Sequence, residues 1–324
     1  MRTIRSESGM ALMIVTWALA LLMVAVFSFS YATKVETSAT MTFRDAAAER
    51  FLAEGGLERA LIELKLRKVN PNPANEDARP WRTDGIPNRF DTDHGIAFVR
   101  ITAEAGKIDI NKSPETILKN LVLAIGVKPD DADIIVDSIE DWRDADNLHR
   151  LHGAEDEYYG SLNPPYKAKN ADFESIEELL LVRGVTQEIL YGTGKAPGLA
   201  DFITLYAESD KINVSAAPRE VLLSLPGMTP EMADAVIAFK GSQEIRALEE
   251  FKAIVGDLFA PMSAFITAGD GTVYTIEAIG TRQEKKPGYG IKAVVSLAGT
   301  KPSYLYYRSP WEIGSWKKQN SSIQ

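Results

Sequence analysis

The chain has 324 residues, enough for more than one core, and 45 acidic against 36 basic side chains give it a formal charge of −9. That balance argues against a surface built to hold nucleic-acid phosphates. It contains no cysteine, so disulfide staples are excluded and its folds must hold by packing, by a metal or by assembly.

In chain order, the first feature is the run from Met10 to Thr33, which carries no charged side chain. As a helix these residues reach about 36 Å, more than the roughly 30 Å of a hydrocarbon core, so the run predicts a membrane span. Arg2 and Arg5 precede it and the bulk of the chain follows. The positive-inside rule therefore places the leader in the cytoplasm and the bulk outside, as a single-pass membrane protein. An ordinary secretory signal ends in a small-residue cleavage site after its apolar stretch. Nothing beyond Phe27-Ser28-Phe29-Ser30-Tyr31 reads as such a site, and the apolar run begins directly after Ser8-Gly9, as Met10-Ala11-Leu12-Met13. This junction resembles the prepilin-type signal. The resemblance implies that a dedicated prepilin peptidase cuts between Gly9 and Met10 and that the new amine is often methylated. The alternative reading of Gly9 is a loop glycine before a plain membrane anchor.

One position departs from that pattern. Most pilin-like proteins carry a glutamate at the fifth mature position, where it meets the N-terminal amine of a neighbouring subunit; counted from Met10, that position here is Ile14. A buried carboxylate without a partner is costly, so its absence suits a subunit with no neighbour above it.

Val35 to Lys68 contains no proline, and Phe43, Ala47, Phe51, Leu57, Ala60, Leu61 and Leu64 recur at mixed three-, four- and six-residue intervals. The helix is expected to continue out of the membrane, with Gly55-Gly56 as a weak spot costing about 1 kcal/mol per glycine, where it would bend or melt. Val69 to Gly95, with Asn70-Pro71-Asn72-Pro73, Arg79-Pro80 and Gly85-Ile86-Pro87-Asn88, reads as a long loop. Ile96 to Ala103 alternates as a strand does, and Lys107-Ile108-Asp109-Ile110 suggests a second.

The middle of the chain is mostly helical and holds a repeat. Ile110-Asn111-Lys112-Ser113-Pro114-Glu115 is echoed by Ile212-Asn213-Val214-Ser215-Ala216-Ala217-Pro218-Arg219-Glu220, each with a serine suited to capping and a proline in the first turn. Leu225-Pro226-Gly227-Met228-Thr229 reads as the turn of a helix-hairpin-helix, and Leu181-Val182-Arg183-Gly184-Val185-Thr186, after a helix over Ile176 to Leu180, as a third turn. Such turns present backbone N–H groups to phosphates in DNA-binding proteins. Here no lysine flanks Gly227, and Asp130, Asp131 and Asp133 surround the first unit, so packing of a small helical domain is the better reading and nucleic acid is not an expected partner.

The densest polar chemistry is Asp141-Trp142-Arg143-Asp144-Ala145-Asp146, followed by Gly153-Ala154-Glu155-Asp156 and Asn170. Closely spaced carboxylates that repel one another suit calcium, which takes six to eight oxygens. The spacing is not that of an EF-hand: no glycine sits two residues after Asp146, so the ligands would come from two separated segments. The competing reading has these acids cap helices and pair with Arg143 and Arg150. His149 and His152 could share zinc only on one helical face, and this stretch reads as loop. Asp141 and Asp144 as the acid and base of a hydrolase lack any sign of a substrate cleft. Near the end, Val273 to Gly280 and Ile291 to Leu297 read as a hairpin around Gly288-Tyr289-Gly290.

Taken in order, the junction without its glutamate, Gly106-Lys107-Ile108-Asp109-Ile110-Asn111, Asp141 to Asp146, Gly153 to Asp156, Glu177-Glu178-Leu179 and Lys211-Ile212-Asn213-Val214 resemble the K-type minor pseudopilins of type II secretion. The resemblance spans nearly the whole chain. It implies an α+β, pilin-like fold, a long N-terminal transmembrane helix on an antiparallel sheet, with a large inserted all-helical domain of helix-hairpin-helix units. The divisions expected are a leader at 1–9, a span at 10–33, pilin-like parts at 34–107 and 263–324, and an insert at 108–262. It further implies a structural calcium ion held among Asp141, Asp144, Asp146, Glu155, Asp156 and Asn170, although the lack of cysteine departs from members with a disulfide there. The function implied is structural, without enzyme activity. The protein would cap the tip of a periplasmic pseudopilus with I-type and J-type minor pseudopilins, above the major pseudopilin and the inner-membrane assembly platform, and prime its assembly. Alternatives are the tip subunit of a type IV pilus and a membrane-anchored DNA-uptake receptor.

Overall fold

The computed structural model describes residues 8–70, 81–193, 196–207, 209–269, 271–282 and 288–311. Helix α1, Ser8–Val69, runs unbroken for 62 residues, so the expected melting at Gly55-Gly56 does not occur. The reason lies in packing. Gly56 faces the sheet, where a Cβ would come within 2.9 Å of Val99 Cγ2 and 3.0 Å of Ala97 Cβ. The opposing strand supplies Gly280, at which a Cβ would overlap the Glu49 carbonyl and the Ala53 amide of α1. Two glycines thus let helix and sheet backbones approach closely, and the buried contact outweighs the helix-propensity cost.

The sheet has the order β1-β2-β7-β8-β9 and is antiparallel throughout. Its first two strands are β1 (Asp84–Thr92) and β2 (Gly95–Ala103). β1 corrects the sequence reading, which placed these residues in a loop. Pro87 and the turn-rich composition obscured it, yet an edge strand tolerates proline, and β1 lies at the edge with its register shift between Asp84 and Pro87. The expected strand over Ile96 to Ala103 is β2. The C-terminal hairpin is also present, as β7 (Val273–Thr281) and β8 (Tyr289–Ser296), followed by β9 (Ser303–Arg308), but Tyr289 and Gly290 are not its turn, because they pair with Gly280 and Ile279 within the ladder. β7 is buried along its whole length because it is the central strand. α1 lies over β2, β7 and β8. Leu57, Ala60, Leu61 and Leu64 meet Val99, Ile101, Ile276, Ala278, Ile291, Ala293 and Val295 there, at roughly 1.5–3 kcal/mol per large side chain fully buried.

A second core extends from Ile108 to Ile266. Its first half holds β3 (Ile108–Asp109), α2 (Glu115–Ala124), α3 (Pro129–Arg143), α4 (Asp156–Gly160), α5 (Gln187–Tyr191) and β4 (Ile203–Thr204). The other half holds β5 (Ile212–Asn213), α6 (Arg219–Leu223), α7 (Pro230–Ser242), α8 (Leu248–Val255), α9 (Phe259–Met262) and β6 (Ile266–Thr267). The segment read as a helix over Ile176 to Leu180 is a 3-10 helix, Ile176–Leu181, with a capping box between Ser175 and Glu178.

The internal repeat is real, and its register differs from the one legible in the sequence. Asp109, not Asn111, corresponds to Asn213. The Asp109 carboxylate accepts from the Asn111 amide at 2.9 Å and the Asn213 side-chain oxygen from the Ser215 amide at 3.0 Å. The carbonyls of the same two residues accept from Ser113 and Ala217, each at 2.9 Å. Pro114 and Pro218 then stand at the N-caps of α2 and α6, so neither Ser113 nor Ser215 caps a helix. Each unit closes with a returning strand of identical sequence, Phe202-Ile203-Thr204 and Phe265-Ile266-Thr267, pairing β3 with β4 and β5 with β6 in parallel.

The two cores meet at a buried ionic node. Glu104, 2% exposed, accepts hydrogen bonds from Lys107 Nζ at 2.9 Å, from Thr275 Oγ1 of β7 at 2.7 Å and from Thr204 Oγ1 of β4. Burial would raise its pKa, but the Lys107 ammonium and the two hydroxyls outweigh that and hold it below the ordinary carboxylate range. A second tie joins the end of α1 to the helical body, where Arg67 grips Glu244 through two bonds of 2.9 and 3.0 Å.

Candidate functional site

The acidic site forms where α3 ends. Asp144 caps the C-terminus of α3, and Asp146 follows in a turn in which its carboxylate accepts from the Leu148 amide at 2.8 Å. Glu155 stands at the N-cap of α4. This brings one oxygen from each of Asp144, Asp146 and Glu155 within 4.8 Å of the others. Glu155 is 4% exposed, and neither of its carboxylate oxygens has a hydrogen-bond partner among the described residues. Desolvation, followed by the charges of Asp141, Asp144, Asp146 and Asp156, pushes its pKa up to about 7. Asn170 joins from the second segment. It adopts a positive φ of 49°, donates to the Asp146 carbonyl at 2.8 Å and leaves its own buried Oδ1 unpartnered. The buried, donor-free Glu155 carboxylate converging with two further carboxylates is the kind of oxygen cluster a hard cation takes, and Asn170 adds a donor-free oxygen on a residue bonded to the Asp146 backbone.

The other two residues of the expected set are engaged elsewhere. Asp141 is fully buried and turned toward Arg150, accepting from its backbone N at 3.1 Å and from Nη1 at 2.7 Å. Asp156 accepts from the Ala168 amide at 3.1 Å and pairs with Lys167 at 3.1 Å. Arg150 is the residue that sequence reasoning underweighted. Its Nη1 also reaches Asp144 Oδ2 at 2.6 Å, so one guanidinium offsets part of the repulsion in the cluster. The signal was present only as an arginine nine residues after Asp141, a spacing that nothing local ties to contact.

His149 and His152 do not converge. Nδ1 of His149 lies 2.9 Å from the Arg150 carbonyl, while Nδ1 of His152 lies 3.2 Å from Asp137 Oδ2. The hairpin turns are present at Gly126 and Gly227, with φ of +93° and +79°, and Gly184 takes +85° in the third turn. The turn at Gly126 was not legible in the sequence. Beside the described turns stand Asp133, which pairs with Lys119, and Asp234, which pairs with Arg219 at 2.5 Å.

At the other end of the molecule, Gly9 and Met10 lie in the first turns of α1, while residues 1–7 fall outside the described residues. Met10 onward is one helix with a mean hydropathy of 2.6 in its most apolar window and no part of that window buried in the protein, which by length and composition fits a single-pass membrane anchor. Ile14 is exposed on it, as are Trp17, Phe27 and Phe29.

A family profile described as type II secretion system (T2SS), protein K, matches residues 99–192. The type II secretion system protein K of Pseudomonas aeruginosa is 26% identical over 208 residues, which is 60% of this chain and 60% of that relative. A putative type II secretion system protein K of Escherichia coli K12 is 36% identical over 76 residues, 24% of this chain and 23% of the relative. The chain therefore spans less than two thirds of the length of these relatives. Among solved structures, the GspK-GspI-GspJ complex from the type 2 secretion system of enterotoxigenic E. coli contains a chain of the same fold, with a TM-score of 0.60 and 17% identity over 86% of this chain and 100% of that one. The matched profile lies over part of β2, the first helical unit and the acidic cluster, and the relatives carry one name, so over these stretches the chain is similar to type II secretion system protein K.

Proposed function

We propose that this protein is a minor pseudopilin that caps the tip of the type II secretion pseudopilus and primes its assembly for export across the outer membrane. The observation that carries the reading is α1. Its membrane-length first part has no packing partner among the described residues, and its second part packs on the sheet. An exposed apolar helix of this kind needs either lipid or the corresponding helices of neighbouring subunits. The helical body stands beside the sheet on the Glu104 node and the Arg67–Glu244 pair. A side body so fixed would collide with neighbours stacked in a shaft and is tolerated at an end. Ile14 supports the same placement, since no carboxylate waits there for a subunit above.

In this reading the leader is cut between Gly9 and Met10 by prepilin peptidase, the bulk stands in the periplasm, and the partners are I-type and J-type minor pseudopilins, the major pseudopilin and the inner-membrane platform. The role is structural rather than enzymatic. Asp144, Asp146, Glu155 and Asn170 hold a calcium ion whose binding free energy stabilises a domain without disulfides. The test is co-expression with prepilin peptidase and the I-type and J-type subunits. A mature mass starting at Met10 and a stable complex with both subunits are expected. A retained leader, or a processed chain that ignores both subunits, would overturn the reading.

A further inference from the structure

The two edges of the sheet are built differently. β1 carries Pro87 and an exposed pair between Arg89 and Asp91 at 3.0 Å, devices that discourage a foreign strand from adding to an edge. β9, at the opposite edge, reads Ser303-Tyr304-Leu305-Tyr306-Tyr307-Arg308, without proline or acid, and its outer side pairs with no strand among the described residues. Tyr304, Leu305, Tyr306 and Tyr307 are 46, 46, 40 and 47% exposed, and the rings of Tyr304 and Tyr307 meet edge to face with centroids 6.0 Å apart.

The row of backbone N–H and C=O groups on that edge is complementary to another extended backbone, and the exposed rings to apolar side chains on alternate positions. Charge narrows the choice further. Across β9 and the turn before it, Leu297 to Arg308, the charged side chains are Lys301 and Arg308 alone, in a protein whose net charge is −9, while the Glu58 carboxylate of α1 engages Tyr304. Lys292 is turned to Glu277 at 3.4 Å, which leaves Lys301 and Arg308 flanking β9. Antiparallel pairing with a second copy would bring these cations of the two copies together, which disfavours self-association.

We propose that β9 is a strand-addition site that takes an extended segment with alternating apolar and acidic residues from a partner protein as a sixth strand. The test uses the full chain in detergent micelles with a nine-residue acetylated peptide of alternating valine and glutamate, and its lysine counterpart as control. The glutamate peptide is expected to slow amide exchange over residues 303–308 at least ten-fold and to bind at least ten-fold more tightly than the lysine peptide. Leu305→Pro, at the residue where the β8–β9 register shifts, should weaken binding at least ten-fold. Lys301→Glu with Arg308→Glu, both at exposed positions, should invert the peptide preference and keeps the test valid should the proline variant fail to fold. Absence of protection at 303–308, equal binding of the two peptides, or an unchanged preference in the charge-reversed chain overturns the proposal. So does a concentration-dependent dimer that protects 303–308 without peptide.

Discussion

Replacing Glu104 by alanine should destabilise both cores at once. The substitution leaves the Lys107 ammonium, 16% exposed, without its carboxylate, and removes the acceptor of Thr204 and Thr275. Breaking a buried ion pair by deleting one partner costs about 3–5 kcal/mol. An unfolding entropy of about 2.1 cal/mol/K per residue over roughly 290 residues is about 0.6 kcal/mol/K, so the melting temperature should fall by about 5–8 °C. Glu104→Gln, which keeps the volume and part of the acceptor capacity, should cost less, about 1.5–3 kcal/mol. Pairing Glu104→Gln with Lys107→Met should recover part of the loss, because the uncompensated cation goes with it. The folded-state pKa of Glu104 is depressed, so its contribution is complete above the ordinary carboxylate value and is lost as pH falls through the folded value; the alanine variant should lack that acid-side loss. Differential scanning calorimetry on the full chain in detergent reads all of these. A fall of less than about 1 °C, or a double variant no better than the sum of the two singles, would refute the node as the junction of the cores.

Other consequences follow from the same structure. Gly280→Ala forces a methyl against the α1 backbone and should cost about 1–3 kcal/mol or more in denaturant unfolding, whereas Gly55→Ala, which meets nothing within 4 Å, should be neutral or stabilising. Calcium at about 100 times its dissociation constant should add about 2.7 kcal/mol of stability; Glu155→Gln and Asp144→Asn should abolish that gain, while Asp156→Asn should leave it. Lys240, buried with its Nζ 2.7 Å from the Ala217 carbonyl, is pushed down to about 8 by burial, with Arg82 adding to the effect and Asp84 opposing it. Between about 8 and the ordinary 10.5 the unfolded chain binds more protons, so stability rises with pH across that window, and Lys240→Met should flatten the rise seen by calorimetry at pH 8 to 9.5.

What the sequence made legible followed from local rules. Charge-free length marked the span, period-2 alternation marked β2, two short runs read as a hairpin marked β7 and β8, and turn glycines marked two of the helical hairpins. β1 was hidden because its signal is tertiary: an edge strand accepts Pro87 and gains its order from β2. The repeat was seen but set two residues off in its first half, because Asn111 looks like Asn213 as a letter while Asp109 matches it in hydrogen bonding. Asn111 instead ties a distant segment, exchanging bonds of 3.0 and 2.8 Å with the Phe173 backbone. In the acidic site the composition pointed to six residues, and geometry divides them: Asp144, Asp146 and Glu155 converge, Asn170 bonds to the Asp146 backbone, Asp141 turns to Arg150, and Asp156 turns to Lys167 and Ala168. Direction of a side chain depends on packing that spacing alone does not encode.

Because the chain has no cysteine, one introduced cysteine can carry a single fluorophore, and Ser161→Cys, at an exposed position of the helical body, would do so. Counting labels on pseudopili assembled in the presence of the major pseudopilin and the I-type and J-type subunits tests the central claim most directly. One label per filament, at an end, is the predicted result. Labels repeated along the shaft would contradict the account.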